Sequence, residues 1–347
     1  MNYYFSILYR IIPLGMALVS FFAGYLVLKA GHNNDGYLSG PILISLGVIC
    51  LALFSTAATI IRQIIKKYNK FYEVFLPLFG YVAALICCYF GYKFIHFYDY
   101  PYHFVTGHVI LGVGFISICV STVGLSSVKF SLIPGNSASS GNQCPSGAYG
   151  KGVRNILILI PVICACVLWI IGFILLSDYK VPENFVAGFV SLGLGAICTS
   201  LIGLVVSIAK QVRNEYTNLD KKIWPSLVLI MGTFNVILGI LILIMNKHSY
   251  AIAPGYVLIG LGMICYSISS KILLLAFVWK RESKLAGKVT LIPIFTALFC
   301  LILSSFLVII YYPTNIMYIP DRILIGLGTI CFSLFSIVSI LESATSK

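Results

Sequence analysis

A short pattern that recurs five times limits what this chain can fold into more than any local feature. Its copies are SGPILISLGVIC at 39–50, TGHVILGVGFIS at 106–117, AGFVSLGLGAIC at 187–198, APGYVLIGLGMIC at 253–265 and PDRILIGLGTIC at 320–331. With Gly40, Gly107, Gly188, Gly255 and Asp321 taken as equivalent, successive copies are 67, 81, 67 and 66 residues apart. A near-constant period marks a chain built from one repeated supersecondary unit. A separate apolar span precedes each copy and carries a proline near its beginning, at Pro13, Pro77, Pro161, Pro225 and Pro293. The unit therefore reads as a helical hairpin, used five times in the same direction. A pseudo-five-fold ring is the simplest closed arrangement.

Composition places those hairpins in a membrane. Hydrophobic residues make up 60% of the chain and charged residues 10%, against about 25% charged in an ordinary soluble domain. The apolar segments are about 20 residues long, enough to cross a hydrocarbon core of about 30 Å. The expected fold is all-α and polytopic, one transmembrane domain over 1–347 with about ten spans. The first helices are placed at about 11–29, 72–95, 154–177, 223–246 and 288–312, and the second at about 40–65, 105–129, 185–209, 253–279 and 319–341. The hairpin units run 9–67, 70–130, 151–213, 221–282 and 286–345, and the Ser/Gly/Asn-rich stretch 131–150 reads as a flexible cytoplasmic linker. The first apolar run lacks a small-residue cleavage site and is expected to be retained. Proline in a first helical turn loses only an unpaired donor, so the five prolines read as helix starts.

The net charge of +13 would suggest a nucleic-acid partner in a soluble protein. Here 17 of the Lys and Arg residues lie at the termini or in loops between hairpins, and 5 at the hairpin tips, with Lys271 left inside a span. The positive-inside rule then puts both termini in the cytoplasm and excludes nucleic acid as the explanation. The partner is the lipid bilayer, with a small solute or ion as a candidate; the oligomeric state is open. Ten of the eleven cysteines fall in apolar spans, where a thiol packs as a small apolar group. No disulfide framework follows.

Within the motif, small residues recur at its first, sixth, eighth and eleventh positions, as in Gly188, Gly193, Gly195 and Cys198. The first, eighth and eleventh share one helix face and the sixth points elsewhere, so both sides can approach a neighbour closely. The glycines assigned to this packing are Gly40, Gly107, Gly188 and Gly255 at the first position, and Gly47, Gly114, Gly195, Gly262 and Gly328 at the eighth. The second helices should form the inner layer, with the first helices facing lipid.

Five residues are candidates for a pore or gate. Lys271 lies nine residues before Lys280, roughly 13 Å of helix, beyond comfortable snorkelling reach. It reads either as a charge facing a water-filled or anion-accepting cavity, or as a snorkelling or locally paired lysine beside Ser267, Ser269 and Ser270. His108 follows the motif glycine about one turn inside its span, and histidine titrates near pH 6.5 when unperturbed. Asp321 and Arg322 stand where other copies have Gly and an apolar residue or proline; adjacent on a helix, they point about 100° apart, so each is expected to need another partner or water, as an interfacial solvated pair or as a gate. Asn235, midway along a first helix, could hydrogen-bond between helices.

The aligned Cys50, Cys198, Cys265 and Cys331 read as packing residues, without the CxxC or histidine spacing of a metal site. GxxxxGK[ST], HExxH and GxSxG patterns are absent from the sequence, and no acid falls mid-span. No catalytic residue, cofactor or metal is expected, and an enzyme is disfavoured.

The segments IAPGYVLIGLGMICYSISSKILLLAFVWKR, TGHVILGVGFISICVSTV and RILIGLGTICFSLFSIVSILE resemble the YhiM-like family of bacterial inner-membrane proteins, a domain family of unknown function. The resemblance runs nearly end to end. It implies a multi-pass inner-membrane protein associated with acid tolerance, and it carries no established site residues. The leading expectation is a channel- or transporter-like stress protein with a continuous polar path near Lys271. The alternative is a non-transporting regulatory or scaffold protein that senses external pH.

Overall fold

In the computed structural model the described residues are 3–30, 33–65, 67, 69–97, 101–132, 144–245, 248–278, 286–311 and 318–345. They form α1 (Tyr3–Lys29), α2 (Asn33–Ile64), α3 (Lys70–Phe97), α4 (Pro101–Ser126), α5 (Lys151–Leu176), α6 (Pro182–Val212), α7 (Asp220–Met245), α8 (Ile252–Leu273), a short α9 (Ala286–Val289), α10 (Ile292–Tyr311) and α11 (Tyr318–Thr345). Among the described residues, ten helices are long and apolar enough to cross a membrane.

The helices sort into two layers. The most apolar windows of α2, α4, α6, α8 and α11 are 78–83% buried, whereas those of α1, α3, α5, α7 and α10 are 22–33% buried. The outer helices turn large apolar side chains outward, such as Phe22, Leu85, Phe90, Phe173, Ile230 and Ile302, a surface suited to hydrocarbon and not to water. Each inner helix contacts the outer helix that precedes it, and the inner helices contact one another in the cycle α2, α4, α6, α8, α11 and back to α2. Every outer helix also touches the previous inner helix of that cycle, α1 touching α11.

Glycine sets the hairpin spacing. In four hairpins the motif glycine faces a glycine of the outer helix 16 residues earlier: Gly24 with Gly40, Gly91 with Gly107, Gly172 with Gly188 and Gly239 with Gly255. A side-chain carbon at Gly91 would stand 2.6 Å from the Leu111 nitrogen, so the two backbones touch. The fifth hairpin has Asp321 at this level, and there Ser304 Oγ donates to the Asp321 carbonyl (2.9 Å). Along that cycle of contacts, the sixth-position glycine of one inner helix receives the leucine next along on the following one: Gly112 takes Leu194, Gly193 takes Leu261, Gly260 takes Leu327 and Gly326 takes Leu46. The eighth-position glycines lie against the outer helices, for example Gly47 on Phe21, Gly114 on Cys88, Gly195 on Trp169, Gly262 on Val236 and Gly328 near Cys300. Many buried Ser and Thr hydroxyls are satisfied within their own helix, as when Ser117 Oγ donates to Val113 O (2.9 Å) and Ser200 Oγ to Ala196 O (2.9 Å), the usual route in apolar helices.

Two expectations are corrected. The prolines are not helix starts: Pro13, Pro77, Pro161 and Pro225 lie inside their helices, and only Pro293 falls in a first turn. The helices extend beyond their apolar runs into polar flanks, beginning at Lys70, Lys151 and Asp220, so the proline is overtaken by the helix. The expected linker is also partly built into the fold. A 3₁₀ turn continues to Leu132, and the Tyr149 carbonyl accepts a hydrogen bond from Arg213 Nη1. Residues 133–143, with His32 and Lys280, lie outside the described residues.

Candidate functional site

The inner helices surround an axis that carries two spaces. Where those helices begin lies a chamber of about 400 Å³. Its walls are two sets of equivalent positions: Leu38, Val105, Val186, Ala253 and Ile319, and one turn deeper Ile42, Val109, Val190, Val257 and Ile323. Tyr102, Glu183 and Tyr250, again equivalent to one another, stand at its rim.

Deeper along the axis the helices close on a void of about 20 Å³. One water needs roughly 10–15 Å³ of such space, so the void holds about one. Its walls include a level of five isoleucines, Ile49, Ile116, Ile197, Ile264 and Ile330. Below it comes a level of Leu53, Val120, Leu201, Ile268 and Leu334, then one of Thr56, Val123, Leu204 and Lys271. From Leu46 to Thr56 this neck spans ten residues, about 15 Å of helix. A continuous polar path near Lys271 was the expectation; packed aliphatic side chains close the neck instead.

Lys271 is 2% exposed and lines the void. Among the described residues its Nζ makes no hydrogen bond or ion pair. A charge inside a span costs about 2.5–3.5 kcal/mol on insertion scales, and among the described residues no carboxylate lines the neck to offset it. Thr56 Oγ1, on the same level, lies 3.1 Å from Ala52 O and 3.2 Å from Val120 O. A π-helical turn, Leu274–Val278, begins three residues beyond Lys271; such turns re-aim helix faces and recur at functional sites. Two glutamines went unnoticed in the sequence. Gln63 Nε2 donates to Ser127 O, and Gln211 Nε2 donates to Leu275 O (2.9 Å). Gln63 and Gln211 share one position of the repeat, and so do their acceptors; that register was the available signal.

The other candidates lie off the axis and apart from Lys271. His108 is half-buried, with Nδ1 2.8 Å from Phe104 O and its ring against Phe104. Described histidines line neither the chamber nor the neck. Asn235 is fully buried and donates from Nδ2 to Gly193 O (3.2 Å), tying α7 to α6. Asp321 and Arg322 contact each other although adjacent helix positions point apart. Arg322 Nη1 reaches both carboxylate oxygens of Asp321, at 3.0 and 2.8 Å, because the long guanidinium arm folds back over the helix start. The Arg322 backbone N–H also donates to Asp321 Oδ1 (2.6 Å). Among the described residues, no group of three or more His, Cys, Asp or Glu could hold a metal.

At the opposite end from the chamber, Glu215 accepts hydrogen bonds from Arg213 Nε (3.0 Å) and from Arg154 Nη1. The Arg213 hydrogen bond, the largest influence, holds the Glu215 carboxyl below its ordinary range; burial opposes this and Arg154 adds to it. A depressed carboxylate stabilises the fold above its unfolded pKa, about 4.3, and that contribution is lost as pH falls through the folded value. The melting temperature of the wild type should therefore fall more steeply than that of Glu215→Gln between about pH 5 and pH 3. Parallel slopes in a fluorescence melt would show that the cluster contributes nothing.

The sequence was compared with known proteins. It is 44% identical over 349 aligned positions, covering all of both chains, to the inner membrane protein YhiM of Escherichia coli (strain K12). No solved structure matches. The family model described as "Protein of unknown function (DUF2776)" matches residues 1–346; with full-length identity to YhiM as well, the chain belongs to this YhiM-like family.

Proposed function

We propose that this chain is a gated, channel-like protein of the inner membrane, built by duplication of one hairpin and drawn closed, that passes a small solute or ion. The observation that carries this reading is the coaxial placement of chamber and void, both walled by equivalent positions of all five inner helices. Stacked aliphatic levels below an open chamber are the form of a hydrophobic gate, which blocks ions by excluding water. The positive-inside bias orients the chamber outward and both termini inward. A role in acid tolerance follows from the family resemblance. The chain has no enzymatic role in this reading.

The packed neck favours a second reading, a non-transporting regulatory or scaffold protein that responds to external pH. Flux through purified protein in liposomes separates the two, measured at external pH 7 and pH 5 for wild type and Val190→Trp. The channel reading expects a gated flux that the indole, filling the chamber wall, reduces at least tenfold. An absence of flux in folded protein at both pH values, with ion and small-solute probes, selects the second reading.

A further inference from the structure

Among the described residues that line the neck, Lys271 is the one charged group, and its surroundings define what would neutralise it. The ammonium offers three donors and no acceptor. Leu204, Val123 and Ile268 beside it supply no charge, and the described carboxylates lie at helix ends or in loops. The group faces a void large enough for one water-sized particle. A water there would satisfy one donor but leave the charge uncompensated, whereas a buried charge is normally paired. The hydroxyl of Thr56 is engaged with backbone carbonyls, so among the described residues of the neck the ammonium is the dominant polar group.

We infer that Lys271 and the void beside it form a binding site for one small monovalent anion of the halide class. The site makes anions the solute class of the path. That second step rests on the gated-path reading; the binding step does not. A cation entering the neck meets the ammonium with no carboxylate to screen it, while a halide exchanges part of its water for the ammonium and the edges of aliphatic side chains. The void fits one such ion, which makes the expected stoichiometry one per chain.

The test is a thermal melt of the purified full-length protein in detergent, with chloride or bromide replacing gluconate at constant sodium. Wild type should show a saturable rise of about 2–4 °C, the size that ligand linkage gives a chain of this length. Lys271→Met and Lys271→Gln should lose the saturable rise while melting in gluconate no lower than wild type, because both remove an unpaired buried charge. That second expectation separates loss of the site from loss of the fold. No halide response in wild type, or an equal response in both variants, overturns the site. A cation-selective leak through a neck opened by other substitutions overturns the anion assignment and leaves the gated path standing. Halide-dependent melting without flux through that opened neck supports the site and removes the path.

Discussion

Serine at both Leu201 and Ile268 should raise ion leak through liposomes carrying this protein at least tenfold. Both residues belong to the same aliphatic level of the neck, on α6 and α8. On the gated-path reading, the closed state keeps water out of a passage about 15 Å long. Each apolar methylene removed lowers the cost of wetting by about 0.8 kcal/mol, and each new hydroxyl offers water a partner. Two such changes exceed the roughly 1.4 kcal/mol that corresponds to a factor of ten in rate. The same pair on the lipid-facing surface, at Leu85 and Ile230, should leave the leak unchanged. An unaltered leak in the neck variant, with an unaltered melting profile, would mean that the levels are structural filling and that the axis never conducts.

Gly91→Ala should lower the melting temperature by a few to about ten degrees, and Gly15→Ala should leave it unchanged or raise it. The two residues lie on equivalent outer helices of apolar composition, yet their surroundings differ. At Gly91 a side-chain carbon meets the Leu111 nitrogen at 2.6 Å, the Leu111 Cα at 2.9 Å and the Gly107 carbonyl at 3.0 Å. These are backbone atoms, so relief requires α3 and α4 to separate along their length. Overpacking of this kind costs about 1–3 kcal/mol, or about 2–4 °C for each kcal/mol in a large domain. At Gly15 nothing stands within 4 Å, and alanine gains helix propensity of up to about 1 kcal/mol. Equal shifts in the two variants, read by fluorescence or by loss of secondary structure on heating, would remove close backbone approach as the cause.

What the sequence made legible was tied to periodicity. Ten spans, the division into inner and outer helices and the direction of the small faces all follow from apolar length and from where glycine recurs. The outer partner glycines, Gly24, Gly91, Gly172 and Gly239, were equally regular, at 16 residues before the motif glycine, but lay outside the copied segment and escaped notice. The neck was hidden for a different reason. Leu201 and Ile268 look like any aliphatic residues in an apolar helix, and only the crossing of five helices decides that they meet on an axis. Lys271 stood out because a charge in an apolar run is costly wherever it points. His108 stood out by residue type and by its place about one turn inside a span, and its ring proves to lie against Phe104. Asp321 and Arg322 were misjudged because helix geometry fixes the direction of Cβ but not where a long guanidinium arm comes to rest.

The contact of each sixth-position glycine with a leucine of the next inner helix is directional, and its last member joins Gly326 of α11 to Leu46 of α2. A head-to-tail contact that repeats with a fixed turn must either close on itself or continue from copy to copy. Here one polypeptide supplies every copy, so closure waits for the last hairpin to be synthesised. Until then α2 carries an unmatched knob and α8 an unmatched socket, both inside the bilayer. A chain that stopped short of α10 would keep those two faces complementary, and a second shortened chain could satisfy them. The device that closes the cycle within one chain is thus also a latent rule for assembly, held in check by the order in which the hairpins are made.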